Sequence, residues 1–282
     1  MGIDRTNRTN RTNRTNRTNR TNTTYMSYWS FIGNGDFVSH QHFINCTGRG
    51  VKIAVIDSGV NPAHPHVGGV SGGTRISAND GASSSDYLDF IGHGTAVTAA
   101  IREKAPDAQL YAVKVFDRTL TTNLEVILKA IDWCIDNEMD LVNLSLGTAN
   151  NEHRDLMERA AARAEEKGTA LVAAREMSGA LSLPGCLLSV IGVGVDWECS
   201  RDEYQVKQLE DGPVFIASAY PREIPGVSRE RNMSGISFAV ANMTGFVARA
   251  REFALRDPFK LPERTAVTQN RGMFRLPFGA KK

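Results

Sequence analysis

Six short apolar runs, at 51–56, 110–116, 141–146, 170–174, 189–195 and 213–218, recur along the chain with helix-compatible stretches between them. Runs rich in β-branched residues and free of polar alternation suit strands buried on both faces. Such strands lie parallel only when helical crossovers join them. The pattern therefore predicts an α/β fold: a doubly wound, mostly parallel sheet with helices on both faces. The clearest run is Val51-Lys52-Ile53-Ala54-Val55-Ile56, bracketed by Gly48, Gly50 and Gly59. One helix is marked as well. Thr122-Asn123-Leu124-Glu125 reads as a capping box, and Leu124, Ile127, Leu128, Ile131 and Ile135 follow at helical spacing toward the core. These are packing residues, not a cofactor box.

Three glycine-flanked segments stand out against this background: Asp57-Ser58-Gly59, Gly92-His93-Gly94-Thr95 and Gly235-Ile236-Ser237. Taken singly, each reads as an ordinary turn or loop. Their attachments are more telling. Asp57 closes the first strand and so sits at a strand's C-terminal end, the edge where open α/β sheets bind ligands. His93 opens a small-residue helical stretch over 95–101. Ser237 precedes a second such stretch, 238–248, which places its hydroxyl and N–H at a helix N-terminus, where developing negative charge is favoured.

An acid, a base and a nucleophile in the order Asp, His, Ser supply one of the known chain orders of the serine-hydrolase triad. A serine hydroxyl is a poor nucleophile at neutral pH and needs an adjacent base; histidine titrates in the useful range. The imidazole in turn needs a buried carboxylate to fix its tautomer and stabilise the imidazolium. Asp57, His93 and Ser237 are the candidates for these roles.

With these residues in place the chain resembles the subtilisin-like serine peptidases over roughly residues 50 to 250. The aspartate motif is similar to Ile56-Asp57-Ser58-Gly59-Val60 with Asn61 to Pro65 behind it, the histidine motif to Gly92-His93-Gly94-Thr95-Ala96-Val97, and the serine motif to Gly235-Ile236-Ser237-Phe238-Ala239 with Gly245 behind it. The resemblance implies a serine endopeptidase that works through an acyl-enzyme, needs no cofactor and takes a peptide or protein as its substrate. It also implies that an extended peptide adds as a strand beside Leu144, Ser145, Leu146 and Gly147 and the loop after Val115. Phe116-Asp117-Arg118-Thr119 reads either as a wall for residues before the cut or as a solvated loop.

The family pattern breaks at one place that matters for mechanism. Subtilisins follow a strand with Ala-Ala-Gly-Asn, whose asparagine donates to the oxyanion; here Ala173-Ala174 runs into Arg175-Glu176, so Glu176 takes the asparagine's position. An ionised carboxylate cannot donate. Three explanations stand open: a protonated Glu176 that donates, a loop that turns Glu176 outward and leaves the Ser237 N–H as donor, or decayed activity. Ile236 replaces the usual threonine, and Ala241 and Asn242 stand where proline and histidine are usual. Two alternatives to hydrolysis stay open: a non-catalytic or weakly active peptide-binding domain, and a variant that passes the acyl group to an amine, which the sequence does not separate from a hydrolase.

The remaining sequence restricts the setting. Residues 1–25 carry six arginines and Asp4 in a tandem Arg-Thr-Asn repeat, a tail of +5 that leaves the rest of the +2 chain at −3. That balance argues against a nucleic-acid-binding body. The repeat has no apolar face and is expected to be a disordered tail ahead of one peptidase domain over 26–282, with Met26 as an alternative start. Its Asn-Arg-Thr matches to glycosylation acceptors follow automatically from the repeat, and no secretory apolar region precedes them. No apolar run of about 18 residues is present, so no membrane span is expected. Cys46, Cys134, Cys186 and Cys199 lack metal-like spacing and read as reduced thiols of a cytoplasmic protein, with no metal site.

Overall fold

The structure, a computed structural model, describes residues 38–39, 45–78 and 86–256. The predicted division after residue 25 lies outside the described residues. Eleven strands follow in chain order: β1 Val38–Ser39, β2 Lys52–Asp57, β3 Gly72–Arg75, β4 Gln109–Lys114, β5 Leu141–Leu144, β6 Ala170–Ala174, β7 Glu176–Met177, β8 Ala180–Leu181, β9 Ile191–Asp196, β10 Glu203–Leu209 and β11 Gly212–Ser218. The α-helices are α1 His93–Lys104, α2 Leu124–Asp136, α3 Arg154–Glu166 and α4 Ile236–Arg256.

Nine strands form one sheet in the order β1-β10-β11-β9-β6-β5-β2-β4-β3. The seven from β11 to β3 are parallel, and β10 and β1 add antiparallel at the far side. All six predicted strands are present, with ends displaced by no more than two residues. β3 escaped prediction because Gly-Gly-Thr-Arg carries no apolar signal, and β10 because Glu-Tyr-Gln-Val-Lys-Gln-Leu alternates in the manner of a half-exposed strand rather than running apolar.

Alternation within each parallel strand divides the core between two faces. Ile53 and Val55 of β2 join Val97 and Ile101 of α1 and Phe238, Phe246 and Val247 of α4. Ala54 and Ile56 join Val126, Ile127 and Ile131 of α2 and Met157 and Ala161 of α3. Phe238 and Phe246 are almost wholly buried, and burial of a ring of this size contributes on the order of 2–3 kcal/mol. Helices α1 and α4 thus share one face. They touch so closely that a Cβ on Gly245 would stand 2.4 Å from Lys104 Cβ.

The start of α2 differs from the predicted capping box. Asn123, not Thr122, is the N-cap, and its side chain accepts from the Val126 N–H at 3.0 Å. Glu125 instead pairs with Lys129 at 2.7 Å, one turn on. Ile127 and Ile131 are buried as expected, while Leu124, Leu128 and Ile135 are only partly covered.

Strand order reverses about β2. The chain passes from β2 to β3 and β4 on one side, then to β5 on the other. The C-terminal ends of β2 and β5 therefore flank a topological switch point, where such sheets form their crevices. Asp57 ends β2, and Ser145 follows β5.

Candidate active site

Asp57 is fully buried, and its Oδ1 accepts from the Ser58 N–H at 2.7 Å and faces His93 Nδ1 at 2.8 Å. A carboxylate only accepts, so Nδ1 carries the proton and Nε2 keeps its lone pair. Asp57 Oδ2 is buried and has no hydrogen-bond partner among the described residues. The His93 side chain retains 15% exposure, enough to meet a ligand. Burial alone would lower the imidazole pKa, but the Asp57 hydrogen bond and charge, with a further contribution from Asp89, raise it above the ordinary histidine value.

Local sequence explains how this contact is reached. Gly92 stands before α1 at φ 89°, a left-handed conformation that side chains with a Cβ rarely adopt. Gly94 is required for another reason: a Cβ there would lie 2.2 Å from the Gly59 carbonyl and 3.2 Å from Asp57 Oδ1. Asp89, in the loop before α1, accepts hydrogen bonds from the N–H groups of Ile91, Gly92 and Thr95. Sequence reading missed it. An acid one turn ahead of a helix start was the available signal.

Ser237 lies in the first turn of α4, half-buried, where its N–H has no intrahelical acceptor. The ring of the next residue, Phe238, lies 5.8 Å from the His93 ring, centroid to centroid, so the starts of α1 and α4 lie side by side. Ser237 Oγ donates to the Ser145 carbonyl at 3.4 Å, and Ser145 Oγ donates to the Ser237 carbonyl at 3.3 Å. Among the described residues, no hydrogen bond joins Ser237 Oγ to His93. Behind this pair lies a buried polar chain that sequence reading also missed. Thr244 Oγ1 donates to Asn143 Oδ1 at 3.0 Å, and Asn143 Nδ2 donates to Ser145 Oγ at 2.9 Å.

Glu176 is exposed on the two-stranded hairpin β7–β8, paired with Leu181, and its carboxylate takes part in no hydrogen bond among the described residues. Of the three explanations, this placement suits the outward-turned loop. Arg175 beside it is buried and pairs with Asp211.

The segment expected to form the substrate edge follows β5 directly. Leu144, Ser145 and Leu146 are buried, and the N–H and C=O groups of Leu146 and Gly147 form no hydrogen bond among the described residues. Thr148, the next residue, is already taken by an antiparallel bridge to Leu183. Asp117 lies within 3.7 Å of Lys114 and 3.9 Å of Arg75, where with Phe116 and Thr119 it lines a cavity of about 400 Å³.

Among the described residues, no group of three or more His, Cys, Asp or Glu side chains is placed to hold a metal ion, and no helix is long and apolar enough to cross a membrane. The four cysteines are free thiols; Cys46, Cys134 and Cys199 are buried and Cys186 is partly exposed. Burial pushes the Cys199 thiol up to about 11, with the nearby Asp196 and Glu203 charges acting in the same direction.

The sequence profile of the subtilase family matches residues 48–195, a span that contains Asp57 and His93 and stops short of Ser237. The chain belongs to the subtilase family. It is 38% identical over 159 residues to the minor extracellular protease Epr of Bacillus subtilis, covering 52% of this chain and 23% of that protein. It is 32% identical over 221 residues to a thermostable alkaline protease of Halalkalibacterium halodurans, covering 71% of this chain and 56% of that protein. The chain thus spans about a quarter and just over half of these two relatives. The crystal structure of a cold-adapted subtilisin-like serine proteinase superposes with a TM-score of 0.59 at 22% identity, covering 76% of this chain and 78% of the other, and shows the same fold.

Proposed function

We propose that this chain is a serine endopeptidase in which Ser237 is the nucleophile, His93 the general base and acid, and Asp57 the carboxylate that orients the imidazole. The observation that carries the reading is the 2.8 Å contact between buried Asp57 and His93 Nδ1, which leaves Nε2 basic at the sheet edge beside the Ser237 turn. In the reaction, Ser237 Oγ leaves the Ser145 carbonyl and turns toward the imidazole. Oγ bonds to the substrate carbonyl carbon as its proton passes to Nε2, and the carbonyl oxygen takes the negative charge. The C–N bond then breaks as Nε2 returns the proton to the departing amine. Water, deprotonated by the same nitrogen, attacks the acyl-enzyme and releases the acid with the free Ser237 hydroxyl.

The Ser237 N–H, at the positive end of α4, is the donor assigned to the oxyanion. Glu176 supplies none, so this chain should be a slower peptidase than one with the asparagine. The unpaired Leu146 and Gly147 backbone supports extended-peptide binding along that edge. Incubation with unstructured peptides, followed by mass spectrometry of new termini, tests the proposal. Wild type yields cleaved products and Ser237→Ala yields none, whereas intact peptides retained by both proteins would favour the peptide-binding reading. A narrower form is a peptidase dedicated to one precursor, or one that joins the acyl group to an amine. The same spectra separate linear hydrolysis products from joined or cyclic ones.

A further inference from the structure

The loop that delivers His93 is organised by a carboxylate that the proposed reaction does not use. Asp89 Oδ1 accepts from Ser58 Oγ at 2.9 Å, the Ile91 N–H at 2.9 Å and the Gly92 N–H at 2.8 Å. Its Oδ2 accepts from the Thr95 N–H at 2.9 Å and Thr95 Oγ1 at 2.7 Å. Helix capping alone would engage one or two amides. Here the bonds reach two segments. Ser58 follows Asp57 directly, and its Oγ accepts in turn from the Gly94 N–H at 2.9 Å. Thr95 Oγ1 accepts from the Asn61 N–H at 3.0 Å. One side chain thus ties the turn after Asp57 to the start of α1, on both sides of the Asp57–His93 contact.

The neighbouring contacts hold the same loop from outside. Lys114, the register partner of Asp57, is buried and donates through Nζ to the Leu88 carbonyl at 2.7 Å. The Val60 N–H donates to the Tyr87 carbonyl at 2.8 Å. With five donors converging on it, Asp89 must be a pure acceptor. An asparagine would turn an NH₂ group against N–H and O–H donors.

We infer that Asp89 is a positioning residue of this site, which locks the Asp57-Ser58 turn to the first turn of α1 and thereby sets the His93–Asp57 hydrogen bond. Its effect on turnover rests on the role proposed for His93; its effect on the imidazole does not. The charged groups that act on that ring are Asp57 at the end of β2 and Asp89 in the loop, while α4 presents the uncharged Phe238 ring. Removal of the Asp89 charge therefore lowers the His93 pKa, and loosening of the clamp weakens the Nδ1–H bond.

The test uses the full chain labelled with ¹⁵N-histidine, with His93 assigned through His93→Gln. His93 titration and its Nδ1–H resonance are followed in wild type, Asp89→Asn, Thr95→Val and Thr95→Ser, beside kcat and KM. Asp89→Asn is expected to shift the titration downward, move the Nδ1–H resonance and lower kcat about tenfold or more, with KM within about twofold. Thr95→Val shows the same changes more weakly, and Thr95→Ser, which keeps the hydroxyl, reverses them. A folded Asp89→Asn with unaltered His93 titration and Nδ1–H resonance overturns the inference. If that variant does not fold, the threonine pair decides: identical His93 spectra for Thr95→Val and Thr95→Ser overturn it. The spectra decide even if wild type cleaves nothing, an outcome that would count against the proposed function alone.

Discussion

On the His93 side of the cleft, two carboxylates, two hydroxyls and a run of backbone amides close on one another, and each bond constrains the next. On the Glu176 side the chain leaves β6 into an exposed hairpin, and the carboxylate at the position expected to assist the oxyanion bonds to nothing among the described residues. The contrast separates two requirements of acyl transfer. Proton movement needs a histidine held in one tautomer and orientation, which demands a rigid polar frame. Charge stabilisation needs donors aimed at the oxyanion, a task that the proposed reaction gives to the N-terminus of α4.

The largest effect expected is on the nucleophile. Ser237→Ala should lower kcat by about 10⁶ while the thermal melt stays cooperative, and a loss below tenfold would place the chemistry elsewhere. Asp57→Asn leaves a similar shape but permits the wrong tautomer, and should lower kcat about 10⁴-fold. An equal loss from Glu176→Ala would erase the contrast between the two sides.

Glu176→Asn probes the opposite side of the cleft. Loss of one such donor lowers kcat by about 10²–10³, a magnitude taken from a subtilisin, so supplying one should raise kcat by up to about 10². A fall in kcat would mean that Glu176 already donates. The smallest effect concerns pH. His93 must be neutral to act as a base, and Asp57 and Asp89 hold its pKa up, so the acid limb of kcat/KM should lie above the ordinary histidine value of about 6.5. The raised pKa also stabilises the fold fully below that value, and this contribution is lost as pH rises through the folded-state pKa.

Much of the frame was legible because it depends on short-range pattern. The apolar runs located six of the seven parallel strands, and the small-residue stretches after His93 and Ser237 located α1 and α4. Asp89 was legible only in part: its bonds to Gly92 and Thr95 are local and an acid ahead of α1 signals them, whereas Ser58, 31 positions away, is brought to it by tertiary packing. The Ser145–Ser237 exchange of hydrogen bonds, which joins residues 92 positions apart, was not legible. The shift of the α2 cap from Thr122 to Asn123 shows a smaller limit: both residues can cap, and backbone direction selects between them.

In the proposed reaction everything depends on His93, set by Asp57, activating Ser237. Labelling with a fluorophosphonate, followed by mass mapping of the modified peptide, tests it most directly. One adduct is expected on Ser237 in wild type, none in Ser237→Ala, and a strongly slowed reaction in His93→Ala. A folded wild type that takes no label, or one that carries the label on another residue, would contradict it.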